Sequence, residues 1–246
     1  MERPVVNGPR DEFVRIGSVQ VPAYVAVPEG AGPWPGVVIV HDALGMTSDL
    51  HDQADWLASE GYLAAAPDLY HRGGRLRCMF RTIRAAVRQE GDVFDDLDAT
   101  RSWLESRPDC TGRIGVIGFC MGGGFALLLA SGWGYDASSV NYGGLPDDVE
   151  EYLADACPVV ASYGGRDPTL RRAPARLEHA LAANDVEHDI EVYPDAGHGF
   201  LNDHARAETP MWALVMGALS RTGYDERAAR DARRRILAFF GRHLAV

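Results

Sequence analysis

Lysine is missing from this chain: all 24 basic residues are arginine. That excludes chemistry needing a primary amine, namely Schiff-base catalysis, pyridoxal attachment and the phosphate-binding lysine of a P-loop. Cysteine is scarce. The four thiols, Cys78, Cys110, Cys120 and Cys157, are widely spaced with no C-x-x-C pair, which argues against a zinc site or a disulfide framework and suits a reducing compartment. The histidines lack the i, i+4 spacing of a zinc helix, and IGVIGFCMGGG does not supply the G-x-G-x-x-G of a dinucleotide site. No run is apolar and long enough to span a bilayer, and MERPVVNGPRDEF has no signal-peptide core, so a soluble cytoplasmic protein with no membrane partner is expected. A formal net charge of -11 disfavours nucleic acid as a partner.

What is present suits one large core: 46% of the 246 residues are hydrophobic, enough for a single domain over 1–246. FVRIGSVQV and PAYVAVP alternate and predict an opening antiparallel pair of strands. GVVIVHD, YLAAAPDLY, RIGVIGF, SSVNYGG, CPVVASYGG and HDIEVYP read as further strands, several of them continuous apolar runs. Helical patterns separate them, in SDLHDQADWLASEG, RLRCMFRTIRAAVRQ, DVFDDLDATRSWLESR, MGGGFALLLAS and APARLEHALAAND, and DERAARDARRRILAFFGRHL closes the chain. This alternation predicts an α/β class with a mostly parallel central sheet covered by helices on both faces. A helical insertion is expected at about 205–223. Its apolar stretch TPMWALVMGAL is expected to pack on the domain as an extra helix, with a lid or a dimer contact as alternatives; monomer and homodimer both stay open.

Ligand chemistry in such sheets belongs at the carboxyl ends of the strands. There, GFCMGGG reproduces the G-x-S-x-G nucleophile elbow of the α/β-hydrolase fold with sulfur replacing oxygen, which makes Cys120 the candidate nucleophile at a helix N-terminus. Asp167 in GGRDP and His198 in DAGHGF follow later strands, giving the order nucleophile, acid, histidine. The bland alternatives are a buried inert thiol, an Asp-Pro turn and a solvated loop histidine. In the chemical reading His198 takes the thiol proton, Asp167 orients the imidazole, and the backbone N–H groups of Met121 and Ala43 form the oxyanion hole.

With HDALG, APDLY, GFCMGG, GGRDP and AGHGF along most of its length, the chain resembles the dienelactone hydrolases. The resemblance implies an α/β-hydrolase fold and a cysteine-dependent hydrolase of small lactones or activated esters. It implies no cofactor, with Cys120, Asp167 and His198 as the triad; the scattered histidines give no support for a metal. The family pattern has a glutamate that holds the resting thiol neutral; here Asp42 stands in that loop, either tuning the thiol or capping local backbone. Where the family has a carboxylate-binding arginine after the histidine loop, this chain has Asn202. Six arginines and no acid lie between Leu69 and Gln89, so Arg72, Arg75 and Arg81 are candidates to bind an anionic substrate, against the plainer reading of a solvated helix face. Two other functions remain open: a non-catalytic small-molecule binder of the same fold, and a redox-sensing thiol protein.

Overall fold

Apolar runs without alternation become the central strands, because a strand covered on both faces has no side to offer water. The computed structural model describes residues 11–16, 19–73, 79, 81–82, 84–85 and 88–245, with side chains from residue 20 onward. In β3 (Trp34–Val40) the residues Val37 to Val40 are fully buried, as are Ala64, Ala65 and Ala66 of β4 (Leu63–Pro67). β1 (Asp11–Ile16) pairs antiparallel with β2 (Val19–Ala26), and β2 pairs antiparallel with β4. From β4 onward the neighbours run parallel, through β3, β5 (Cys110–Phe119), β6 (Ala137–Asn141), β7 (Val159–Gly164) and β8 (His188–Tyr193). The eight-stranded order is β1-β2-β4-β3-β5-β6-β7-β8, the expected mostly parallel sheet.

The opening pair differs from expectation in its boundary. Pro22 lies inside β2, opposite Phe13, and its carbonyl accepts the Asp68 N–H at 2.8 Å. The proline therefore does not start the strand.

Helices cover both faces. α2 (Asp92–Glu105) sends Leu104 to the side of β3 and β5 carrying Gly36 and Ile114, whereas α7 (Glu226–His243) sends Phe240 to the opposite side, over Gly115. α7 begins with Asp225, whose carboxylate accepts the Ala228 N–H at 3.0 Å, and buries Ala228, Ala229, Ala232, Ile236, Phe239 and Phe240 along one stripe. α1 (Ser48–Ser59) starts at Thr47, α3 (Met121–Leu129) follows β5 directly, and α5 (Ala173–Ala183) precedes β8. A four-residue helix, α4 (Val149–Tyr152), is too short to have shown a period in the sequence. The arginine-rich helix expected after β4 falls largely outside the described residues, although residues 79, 81, 82, 84, 85 and 88 are helical.

The insertion does contain a helix, α6 (Met211–Ser220), but none of its residues is buried. Met211, Val215, Met216 and Leu219 are exposed, at 58% or more, so these apolar side chains are left uncovered. Among the described residues no helix is long and apolar enough to cross a membrane.

The sheet–helix core predicts its own weak point. Phe240 is fully buried and its ring lies 6.0 Å from that of Tyr62. Phe240→Ala should lower unfolding stability by about 3–5 kcal/mol, read by urea denaturation, because the cavity adds to the lost burial.

Candidate active site

β5 ends and α3 begins with one residue between them, and that residue is Cys120. Its backbone sits at φ 55 and ψ -113, a left-handed conformation that a non-glycine residue adopts only under constraint. The constraint is steric closeness on either side. A Cβ on Gly118 would lie 1.9 Å from the Gly122 carbonyl oxygen, and one on Gly122 would lie 2.1 Å from that of Val40. The Cys120 N–H donates to the Asn141 carbonyl at 3.0 Å and its own carbonyl accepts the Gly124 N–H at 3.2 Å, which locks the turn.

Asp167 follows β7 and is 1% exposed. Its Oδ1 accepts the Thr169 N–H at 2.8 Å and the Thr169 hydroxyl at 2.6 Å, while its Oδ2 accepts the His198 Nδ1–H at 2.7 Å. Burial would raise this carboxyl, but the bonds from His198 and Thr169 outweigh it and hold it below the usual carboxylate range. For His198 burial likewise opposes charge. The bond to Asp167 and the adjacent Cys120 side chain nevertheless push the ring up to about 10. Tyr142, at the end of β6, meets the His198 ring edge-on with centroids 5.1 Å apart.

Cys120 and His198 border one cavity of about 720 Å³, together with Ala43, Met121, Tyr142, Leu145 and Leu170. The two residues expected to supply oxyanion donors thus border the same space as the thiol. Met121 opens α3, where the first N–H groups have no intrahelical acceptor. A second concavity of about 700 Å³ lies near Asp225 and Arg234, but the residues bordering it include no cysteine or histidine and offer no nucleophile–base pair.

Other expected residues are placed differently. Arg72 forks onto Asp96, with Nη2 on Oδ1 and Nε 3.2 Å from Oδ2, and His71 Nε2 meets the same carboxylate at 3.0 Å. Asp96 is fully buried, so its charge requires this cation and leaves the Arg72 fork committed. Arg81 Nη1 lies 3.3 Å from Asp92. Neither arginine is among the described residues bordering the cavity, and Arg75 lies outside the described residues. Asp42 uses Oδ1 to accept the Leu44 N–H at 2.7 Å and Oδ2 to accept from His204 Nε2 at 2.7 Å. Each carboxylate oxygen thus has a partner, one the local Leu44 backbone and the other the His204 ring.

No motif marks His204, Asp49 or Thr169. Asn202 stood out only as a departure from the family pattern, and in the structure it accepts the Tyr142 hydroxyl. Burial pushes the Cys157 thiol up to about 12 and the Cys110 thiol upward too, which keeps both protonated; Cys78 lies outside the described residues. Among the described residues no three histidine, cysteine, aspartate or glutamate side chains are gathered to hold a metal ion.

Comparison with known proteins gives four convergent likenesses. The sequence pattern of the dienelactone hydrolase family matches residues 21–244. A Yersinia pestis protein named as a carboxymethylenebutenolidase is 31% identical over 244 residues, covering 91% of this chain and 84% of that one. An Escherichia coli K12 protein of the same name is 30% identical over 240 residues, 89% of this chain and 82% of the other. The crystal structure of a Klebsiella pneumoniae protein named as a dienelactone hydrolase superposes with a TM-score of 0.76 at 29% identity, covering 94% of this chain and 97% of that chain.

The raised His198 value has a testable sign. Its folded pKa of about 10 lies above the ordinary 6.5, so its contribution to stability is complete below pH 6.5 and is lost as pH rises through about 10. His198→Gln should flatten that alkaline decline in urea unfolding. Cys120→Ala should lower the ring's titration midpoint, followed by NMR, because the sulfur that helps hold the proton is gone.

Proposed function

The chain belongs to the dienelactone hydrolase family, and from that premise we propose that it hydrolyses small lactones or carboxylic esters through Cys120, His198 and Asp167. One observation carries the reading: a buried carboxylate 2.7 Å from a histidine that shares a cavity with a cysteine held in a strained strand-to-helix turn. His198, pushed toward the cation by Asp167 and Cys120, holds on Nε2 the proton taken from the thiol, while Asp167, bonded to Nδ1, orients the ring. The sulfur attacks the acyl carbon and the carbonyl oxygen becomes an oxyanion, met by the N–H groups of Met121 and Ala43. His198 then protonates the departing alkoxide as the thioester forms; in a lactone that oxygen stays on the same molecule. Water, deprotonated by His198, attacks the thioester, and the acid leaves as the thiol is restored.

The substrate is small, in keeping with a cavity of about 720 Å³ that Leu128, Leu145, Pro146 and Leu170 make largely apolar. Asp147 and Asp148 border it as well, and the arginines nearest in sequence to a clamp are paired with Asp92 and Asp96. A neutral acyl group therefore suits the described lining better than a carboxylate.

An activated aryl ester at neutral pH provides the test. Cys120→Ala should lower kcat by at least about 10³-fold, with the protein still folded, because the nucleophile itself is removed. Turnover that survives this substitution would overturn the mechanism. A wild-type protein inert toward esters, thioesters and lactones would favour the non-catalytic binder.

A further inference from the structure

The chain that follows the histidine loop is tied to the turn carrying Ala43. Asp49, buried in the first turn of α1, accepts Asn202 Nδ2 at 2.5 Å and the Asp203 N–H at 2.7 Å. Ser48 donates to Glu208 from its N–H at 3.1 Å and from its hydroxyl at 2.7 Å. Between these anchors His204 Nε2–H reaches Asp42 Oδ2 at 2.7 Å, while Oδ1 of the same carboxylate accepts the Leu44 N–H. The main chain is gripped too. His41 Nδ1–H and the Gly45 N–H donate to the Asp42 carbonyl at 2.7 and 3.2 Å, and the Tyr70 hydroxyl donates to the Ala43 carbonyl at 3.2 Å. The Ala43 N–H, in contrast, makes no hydrogen bond among the described residues, and Ala43 borders the cavity with Cys120.

His204 is set among acids. Its Nδ1 is buried without a hydrogen-bond partner, 3.9 Å from Asp49 Oδ2. Burial would lower its pKa, but Asp42, followed by Asp49 and Glu208, raises it and favours the cation. An ordinary surface ion pair contributes little. This pair is 15% and 12% exposed, and its carboxylate organises the turn that presents a free N–H.

Resting on the hydrolase reading above, we propose that His204 is a positioning residue. By holding Asp42 it fixes the 42–44 turn so that the Ala43 N–H meets the oxyanion formed when Cys120 attacks its substrate. His204 itself touches no reacting atom. Its effect belongs to the acyl-transfer transition state, since the ground-state carbonyl makes a weaker demand on the donor.

The experiment compares His204→Ala, His204→Gln and Asp42→Asn on the aryl ester, beside Cys120→Ala. Losing a whole oxyanion donor costs about 10²–10³-fold in kcat, so loosening one through His204→Ala should cost about 10- to 100-fold, with KM nearly unchanged. His204→Gln keeps a side-chain N–H for Asp42 and should recover most of the loss. Adding Asp42→Asn to His204→Ala should cost little more, because the two act as one unit. Alkylation of Cys120 by iodoacetamide, followed by mass spectrometry, forms no oxyanion and should keep its wild-type rate in every His204 variant. Unchanged kcat in His204→Ala beside an inactive Cys120→Ala would overturn the positioning role. So would equal impairment of both His204 variants with slowed alkylation, which would mark a general packing defect. Turnover persisting in Cys120→Ala would instead bring down the hydrolase reading itself.

Discussion

A left-handed backbone at a cysteine is the constraint around which this fold is organised. A residue held at φ 55 and ψ -113 costs about 1–3 kcal/mol, and it persists only where its surroundings leave no alternative. Those surroundings are β5, buried from Ile114 to Phe119, and α3, with Phe125 to Leu129 in the core. The two elements fix the ends of the turn, and missing side chains at Gly118 and Gly122 let the backbone pass through it. Asn141 on the neighbouring strand holds both sides of the turn, accepting the Cys120 N–H with its carbonyl and donating Nδ2 to the Gly118 carbonyl at 3.2 Å. The buried sheet thus sustains the strain locally, and the strain lifts the sulfur to the cavity.

How much of this could be read in the sequence depended on whether the cause was local. Val37 to Val40 and the alanines of β4 announce buried parallel strands because burial on both faces removes alternation. Cys120, Asp167 and His198 stand out because each ends a strand in a loop containing glycine. Their placement near one another is a product of strand order, which no local pattern specifies. The opening hairpin boundary was less legible, since Pro22 looks like a breaker but sits where only its carbonyl is required, toward Asp68. α6 misled for another reason. Its sequence is apolar along nearly its whole length, and composition says nothing of whether another surface arrives to cover it. His204 carried no signal, as a lone loop histidine whose partner Asp42 lies 162 residues away.

The two departures from the family pattern turn out to be physically linked. Asn202 accepts the Tyr142 hydroxyl and donates to Asp49, and Asp49 lies 3.9 Å from the ring of His204, which holds Asp42. A chain of polar groups therefore runs from the tyrosine that contacts His198 to the turn that carries Ala43. Asp42 and Asp49 would repel each other in so enclosed a place. Burial raises Asp49, and the Asn202 hydrogen bond and then the nearby His204 ring offset part of that rise. A shorter acid at 42 and an amide at 202 are consistent with one another here because the amide serves the network as both donor and acceptor, which an arginine could not.

The arginine-rich segment shows why charge near a site is weak evidence of what the site binds. Asp96 is fully buried, with the Arg72 guanidinium forked onto it and His71 Nε2 3.0 Å away. Removing one partner of a buried pair leaves an uncompensated charge worth about 3–5 kcal/mol of stability. Activity lost in Arg72→Ala would consequently report folding before it reported substrate binding. A group that binds substrate charge must have a spare face toward the cavity. The Nε and Nη2 edge of Arg72 has none to spare, whereas the amide of Ala43 makes no hydrogen bond among the described residues and borders the cavity.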